Sequence, residues 1–333
     1  GPHRMTSPTG EILDVDLLRF EQGSREDRRA VIDGVIRSLE TGFVYLAHDI
    51  PAEVIDEAYA MLAAFFHLER AEKERYVVEG SMGQTGYTGL LVETAAENET
   101  PDWKEMLNWG PEIPVGHPLQ RRFPHRYMPR VLPEPSVPGI ERALMTLHER
   151  LFDLQRRFLR VIAAGIGADA GFFDGMLENG PTLSRAIRYP PMTEAPDQDH
   201  IWAGAHGDIN LITALPRATR RGLQVQVGDA WVDAIPPEGL AIINTGLMLE
   251  RVTNGRIPTG IHRVIAGAGE TEERYSVVQF AHPTPWTILQ PLACCIDEAH
   301  PQRESAIQAG DWLDQVLYDI NLIEDARRVD EGS

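Results

Sequence analysis

His206-Gly207-Asp208-Ile209-Asn210-Leu211-Ile212-Thr213, read together with Gly260-Ile261-His262-Arg263-Val264, decides what kind of chain this is. On a β-strand, residues i and i+2 project from one face, so the spacing predicts that His206 and Asp208 grip one ion together. His262 is expected to reach the same ion from a later strand, with Gly260 just before it permitting a tight approach. Two imidazoles and one carboxylate on one side of an octahedron leave three positions open, which suits Fe(II) and its oxygen chemistry. Zinc fits less well, because catalytic zinc favours tetrahedral ligation richer in nitrogen or sulfur. A lone H-x-D pair is common by chance, so the surrounding residues have to carry the reading.

Around this stretch the texture is that of a β protein. Short apolar runs at 209–215, 223–227, 240–244, 262–266 and 275–280 are separated by Gly, Pro, Asn and Asp. Strands at this spacing predict a β-sandwich or jelly roll. Within the last run, Arg274 and Ser276 face the same way, and a guanidinium fork beside a hydroxyl is a receptor for a carboxylate. Val277, Val278 and Phe280 read as buried, and a buried arginine needs an anion.

Upstream, 12–17 reads as a short strand. A helix is expected over 28–39, from Val31, Ile32, Val35, Ile36 and Leu39. Gly42 breaks it, a buried strand follows at 43–46, and Pro51 opens a second helix running to Phe65-Phe66. The stretch 81–138, rich in Gly, Pro and aromatics, is expected to wrap the outside of a site. A long amphipathic helix is expected over 139–165 and a closing helix over 301–323. Helices thus precede an all-β core. The expected division is a tag remnant at 1–5, an N-terminal helical and strand region at 6–138, a catalytic core with its long helix at 139–300, and a C-terminal helix and tail at 301–333.

Composition narrows the function. The chain has 333 residues, 43% of them hydrophobic, enough for a sizeable core in one large domain or two. No apolar run approaches the roughly 18 residues of a membrane span, and no signal peptide is legible. Gly1-Pro2-His3-Arg4 reads as a cleavage scar, with Met5 the expected native start. A formal charge of -19 argues against nucleic acid and anionic membranes, and permits a neutral or cationic substrate. Lys73 and Lys104 are the only lysines, a bias toward Arg that a GC-rich bacterial genome explains. Cys294 and Cys295 are adjacent, and neighbours rarely pair, so a reducing cytoplasm is expected, with the chain a monomer or weak homo-oligomer.

Taken together, these residues resemble the isopenicillin N synthase-like family of Fe(II)/2-oxoglutarate-dependent dioxygenases. The resemblance rests on the two metal stretches, Gly222-Leu223-Gln224-Val225, Trp231, Pro236, Asn244-Thr245-Gly246, Thr253-Asn254-Gly255, Arg274-Tyr275-Ser276, Phe280 and Pro283 in the family's order. Gly42-Phe43, Phe65-Phe66-His67-Leu68 with Lys73, Gly86-Tyr87 and Asp102-Trp103-Lys104-Glu105 are similar to its N-terminal region. The resemblance implies a double-stranded β-helix with flanking helices, an iron held by His206, Asp208 and His262, and 2-oxoglutarate held at its distal carboxylate by Arg274 and Ser276. It also implies that Tyr189 contacts the cosubstrate, although Ile187 stands where the family commonly has Asn, and Leu247 follows Gly246 where Asp is usual. The activity implied is oxidation of a small molecule by O2, with release of succinate and CO2 and a natural-product intermediate as substrate. Hydroxylation, desaturation or cyclisation would be open to it, and the Asp208 carboxylate argues against halogenation. Tyr87, Trp103, Arg188 and Trp202, with Trp109, are candidate pocket walls. The alternatives are an Fe(II) oxidase of the isopenicillin N synthase type that does without 2-oxoglutarate, and a non-catalytic metal- or ligand-binding barrel.

Overall fold

Ser24 and Asp27 close a capping box, each side chain accepting from the other's backbone N–H, and start a helix at Arg25–Ser38. The helix begins earlier than its apolar spacing predicts, because a cap is a polar signal that hydrophobic periodicity does not carry. Gly42, at φ +81°, turns the chain out of the short helical turn Leu39–Thr41 that follows. Pro51 sits immediately before the helix Ala52–Phe66. The longest helix, Ile140–Ile166, lies between Gly139 and Gly167, both left-handed. Its stripe of Leu144, Leu147, Leu151, Leu154, Phe158 and Ile162 is fully buried. That stripe packs on the main sheet and on the two helices just named.

A computed structural model of the chain describes residues 10–90, 101–197 and 199–319. In chain order the strands are β1 (Asp14–Asp16), β2 (Phe43–Ala47), β3 (Gly86–Thr88), β4 (Glu105–Trp109), β5 (Leu183–Tyr189) and β6 (Ala203–His206). There follow β7 (Ile212–Leu215), β8 (Leu223–Val227), β9 (Ala230–Asp233), β10 (Ala241–Thr245), β11 (His262–Val264) and β12 (Arg274–Ala281). A major sheet runs β1-β2-β10-β7-β12-β5-β4-β3, and a minor sheet runs β6-β11-β8-β9. The two enclose a layer that includes Phe43, Tyr45, Ile187, Tyr189, Trp202, Leu223 and Val264. The fold is the expected one, a double-stranded β-helix with flanking helices.

Three local expectations need correction. The N-terminal region does more than cover the core: β1 to β4 extend the major sheet at both ends, and β4, wholly buried, pairs with β5 along its length. Gly and Pro flanking this stretch masked a strand whose every side chain is buried. The closing helix spans Ala309–Asp319, after a short strand Ile307–Gln308 paired with Ile288–Leu289, so 301–306 are not helical. Asp14–Asp16 is shorter than the strand read at 12–17, because Asp16 caps the helix Leu17–Gln22. The tag remnant expected at 1–5 falls within residues 1–9, which lie outside the described residues, as do residues 91–100, residue 198 and the stretch from 320.

The outer, helix-covered face of the major sheet buries His148, whose Nδ1 lies 2.7 Å from Ser184 Oγ. Burial, reinforced by the charge of Arg130, pushes its pKa from 6.5 down to about 4. The unfolded chain takes up that proton first, so the stabilisation is complete above about pH 6.5, declines as pH falls toward 4, and levels off below. His148→Gln is expected to remove up to about 3 kcal/mol of this decline, read from urea unfolding midpoints across that pH range.

Gly42 also touches Gly260: a Cβ on Gly42 would sit 2.4 Å from the Gly260 Cα, and a Cβ on Gly260 would sit 2.6 Å from the Phe43 ring. Gly42→Ala combines this overlap with a left-handed backbone that costs an alanine roughly 1–2 kcal/mol. It should lower the unfolding free energy by at least about 2 kcal/mol and weaken divalent-metal binding through β11.

Candidate active site

His206, the last residue of β6, pairs directly across the minor sheet with His262, the first residue of β11. Their ring centroids are 4.4 Å apart. Asp208 lies two residues past the end of β6, just before a bend at residues 209–211. Its Oδ1 is 3.6 Å from His206 Nε2 and 3.7 Å from His262 Nε2. The three donor atoms lie within 4.8 Å of one another, close enough to share one metal ion.

Each donor is oriented by a neighbour. His206 Nδ1 lies 2.7 Å from the Gly204 carbonyl, and His262 Nδ1 lies 3.1 Å from the Gly260 carbonyl. A carbonyl only accepts, so each Nδ1 carries a proton, and in the neutral ring Nε2 keeps its lone pair toward the ion. Asp208 Oδ2 accepts from Thr213 Oγ1 at 2.7 Å and from Asn244 Nδ2 at 2.8 Å, leaving Oδ1 for the ion. Burial, and then the proximity of His262, pushes His206 down to about 4. For Asp208, burial works upward, but the two imidazoles and the bonds from Asn244 and Thr213 outweigh it and hold the carboxyl below its ordinary value. The donor set is therefore ready for a hard divalent metal: an ionised oxygen and imidazole nitrogens on one side of a pocket.

Arg274 begins β12 opposite Tyr189 of β5, and Ser276 stands opposite Ile187. Arg274 is 1% exposed, and among the described residues no carboxylate pairs with it. Its Nε donates to the Arg220 carbonyl at 3.1 Å, and its guanidinium carbon lies 5.3 Å from the Tyr189 ring centroid. Burial lowers its pKa, the reverse of what a paired carboxylate would do. A permanently charged, buried group without a counterion demands an anion from outside. Arg274, Ser276, Tyr189, His206, Asp208 and His262 all border one pocket between the sheets.

The candidate pocket walls fare differently. Tyr87 and Arg188 lie on the other face of the major sheet, because β5 alternates and Arg188 points away from Tyr189 and Ile187. There the fully buried Glu105 accepts from Lys73 at 2.6 Å, Tyr87 at 2.9 Å and Arg188 at 2.8 Å, and Arg188 also binds Glu273. Trp103 and Trp202 are buried between the sheets, their indole N–H groups donating to the carbonyls of Pro191 and Pro190. Trp202 packs on Tyr189, with centroids 5.7 Å apart, and so backs the pocket rather than bordering it. Trp109 is core against the long helix, donating to the Leu144 carbonyl. Sequence reasoning missed Arg185, Lys104, Phe43 and Phe280, which do border the pocket. Counting back from Tyr189 by twos reaches Arg185, a signal that was present.

Known proteins place this geometry in a family. Residues 12–134 match the profile of the non-haem dioxygenase in morphine synthesis N-terminal region, and residues 181–283 match the 2OG-Fe(II) oxygenase superfamily. A solved 2OG-Fe(II) oxygenase family protein from Caulobacter crescentus is 31% identical, with a TM-score of 0.81 over 94% of this chain and 100% of that one. The chain belongs to the 2OG-Fe(II) oxygenase superfamily. Among curated relatives, a 2-oxoglutarate-Fe(II) type oxidoreductase of Aspergillus fumigatus is 28% identical over 80% of each chain. Kihadalactone A synthase of Citrus sinensis is 28% identical over 83% of each. This member of the superfamily is an Fe(II)- and 2-oxoglutarate-dependent dioxygenase acting on a small molecule, as the resemblance implied. No helix among its described residues is long and apolar enough to cross a membrane.

Thr213→Val removes one of the two donors that aim Asp208 while keeping its shape. Loss of such a supporting bond typically costs 10–100-fold in metal affinity, and Mn(II) titration calorimetry should register about that loss.

Proposed function

We propose that His206, Asp208 and His262 hold Fe(II), and that Arg274 and Ser276 hold the distal carboxylate of 2-oxoglutarate, for the oxidation of a natural-product intermediate. The observation that carries this reading is that a metal-ligating cluster and a buried guanidinium border one pocket. Three metal-ligating donor atoms converge, and a fully buried guanidinium beside them has no carboxylate partner among the described residues. An Fe(II)-binding keto-diacid meets both at once, with one end at the metal and the other at Arg274.

Bound there, iron and 2-oxoglutarate supply the oxidation, consuming O2 and releasing succinate and CO2. The chain's own residues do the positioning. Arg274 fixes the charge and plane of the distal carboxylate, and the Ser276 hydroxyl, two residues on and on the same face, adds a second donor. Tyr189, under the Arg274 guanidinium, limits how far that group can swing. Ile187, opposite Ser276, keeps the wall beside the carboxylate apolar. Phe43 packs edge-on against His262, with centroids 5.8 Å apart, and shields that side of the centre from water. A substrate of natural-product type is supported by the curated relative from Citrus sinensis, named for the synthesis of kihadalactone A. A cytoplasmic setting suits the unpaired Cys294 and Cys295.

Arg274→Leu leaves the distal carboxylate unpaired in a buried site, a loss of about 2–5 kcal/mol for a charged partner. The apparent affinity for 2-oxoglutarate should fall at least tenfold, measured by titration under anaerobic conditions, and unchanged affinity would remove the assignment. His206→Ala should abolish succinate formation while the fold, read by circular dichroism, survives.

A further inference from the structure

β5 presents Arg185, Ile187 and Tyr189 to the pocket on alternate residues, and β12 presents Arg274, Ser276, Val278 and Phe280 beside them. Arg185 pairs in register with Val278, four residues along β12 from Arg274. The backbone positions of the two arginines are therefore about 13 Å apart along the sheet. The Arg185 guanidinium is held by neutral oxygens: Nε donates to Asn108 Oδ1 at 2.6 Å, and Nη2 donates to the Gly83 carbonyl at 3.1 Å. Its carbon lies 5.2 Å from the Phe280 ring centroid. Among the described residues no carboxylate pairs with it, and Nη1 has no hydrogen-bond acceptor. Its neighbours thus fix the fork in place without neutralising it.

The charge balance gives this arginine a role. With the proposed cosubstrate bound, Fe(II), Asp208, Arg274 and doubly ionised 2-oxoglutarate cancel. Lys104, which also borders the pocket, lies 3.2 Å from Asp102, whose charge opposes its own. Arg185, half-buried at the pocket wall, is left as a positive charge that no carboxylate among the described residues opposes, within a chain whose formal charge is -19. An acidic surface repels anions, so a positive charge retained at the pocket wall favours an anion there.

The geometry points to Arg185 as the specificity residue for the primary substrate, which it would bind through a carboxylate. The neutral or cationic substrate that the overall charge permits is thus replaced by a carboxylic acid whose tail extends toward the metal. This rests on the cosubstrate assignment proposed above, because a 2-oxoglutarate carboxylate bound at Arg185 would leave it nothing to select.

The test uses the whole protein with Fe(II) and saturating 2-oxoglutarate under anaerobic conditions. The probes are 3-phenylpropanoate, cinnamate, octanoate and decanoate, each against its primary amide, with binding followed by tryptophan fluorescence. A charged hydrogen bond is worth enough that at least one acid should bind about tenfold or more tightly than its amide. Arg185→Gln should bring the two within about twofold of each other. Should Arg185→Gln not fold, Arg185→Lys replaces it, and the loss of the fork should weaken the acid while leaving the amide unchanged. The inference is overturned if wild-type protein binds none of the acids, binds acid and amide alike, or if the acid preference persists undiminished in the variant. Binding of 2-oxoglutarate alone reads the proposed function, so failure there and failure of the acid preference are separate results.

Discussion

Everything at the metal centre depends on the antiparallel pairing of His206 with His262. The two ligands come from strands far apart in sequence, and a slip of one residue between β6 and β11 would turn one imidazole to the wrong face. The close approach of Gly42 and Gly260 holds β11 against the start of β2, where any side chain would force the strands apart. Asp208 closes the arrangement from the loop beyond β6. Its second oxygen is tied to Thr213 on β7 and Asn244 on β10, so the carboxylate belongs structurally to the major sheet while its neighbours belong to the minor one. The ion site is thus a joint between the two sheets.

The alternation of β5 and β12 separates two charge systems that sit one residue apart. On the outer face, Glu105 is buried among Lys73, Tyr87 and Arg188, and Arg188 continues to Glu273, so the charges there are mutually satisfied. A buried carboxylate is tolerable only with donors of this number and closeness. On the inner face, no carboxylate among the described residues pairs with Arg185 or Arg274. The paired charge fastens β4 to β5.

Much of this was legible in the sequence, and the losses have physical causes. The metal residues, the Arg274 and Ser276 pair and the strands at 223–227 and 240–244 were readable because local spacing and apolar runs encode them. Strand β4 was not, because a strand buried on both faces shows no alternation and its neighbours are turn-forming. Asp208 was read as a strand residue, whereas β6 ends two residues before it, at His206. Tyr87 and Arg188 were read as candidate pocket walls. The register of β3 on β4 and of β4 on β5 puts both on the face that carries Glu105, away from the pocket.

The most direct test of the account is an anomalous difference map from crystals soaked in Fe(II) without oxygen. The account predicts one iron peak bounded by His206 Nε2, His262 Nε2 and Asp208 Oδ1, with both Nδ1 atoms still facing the carbonyls of Gly204 and Gly260. Iron bound elsewhere, or ligated through Nδ1 or Asp208 Oδ2, would contradict it.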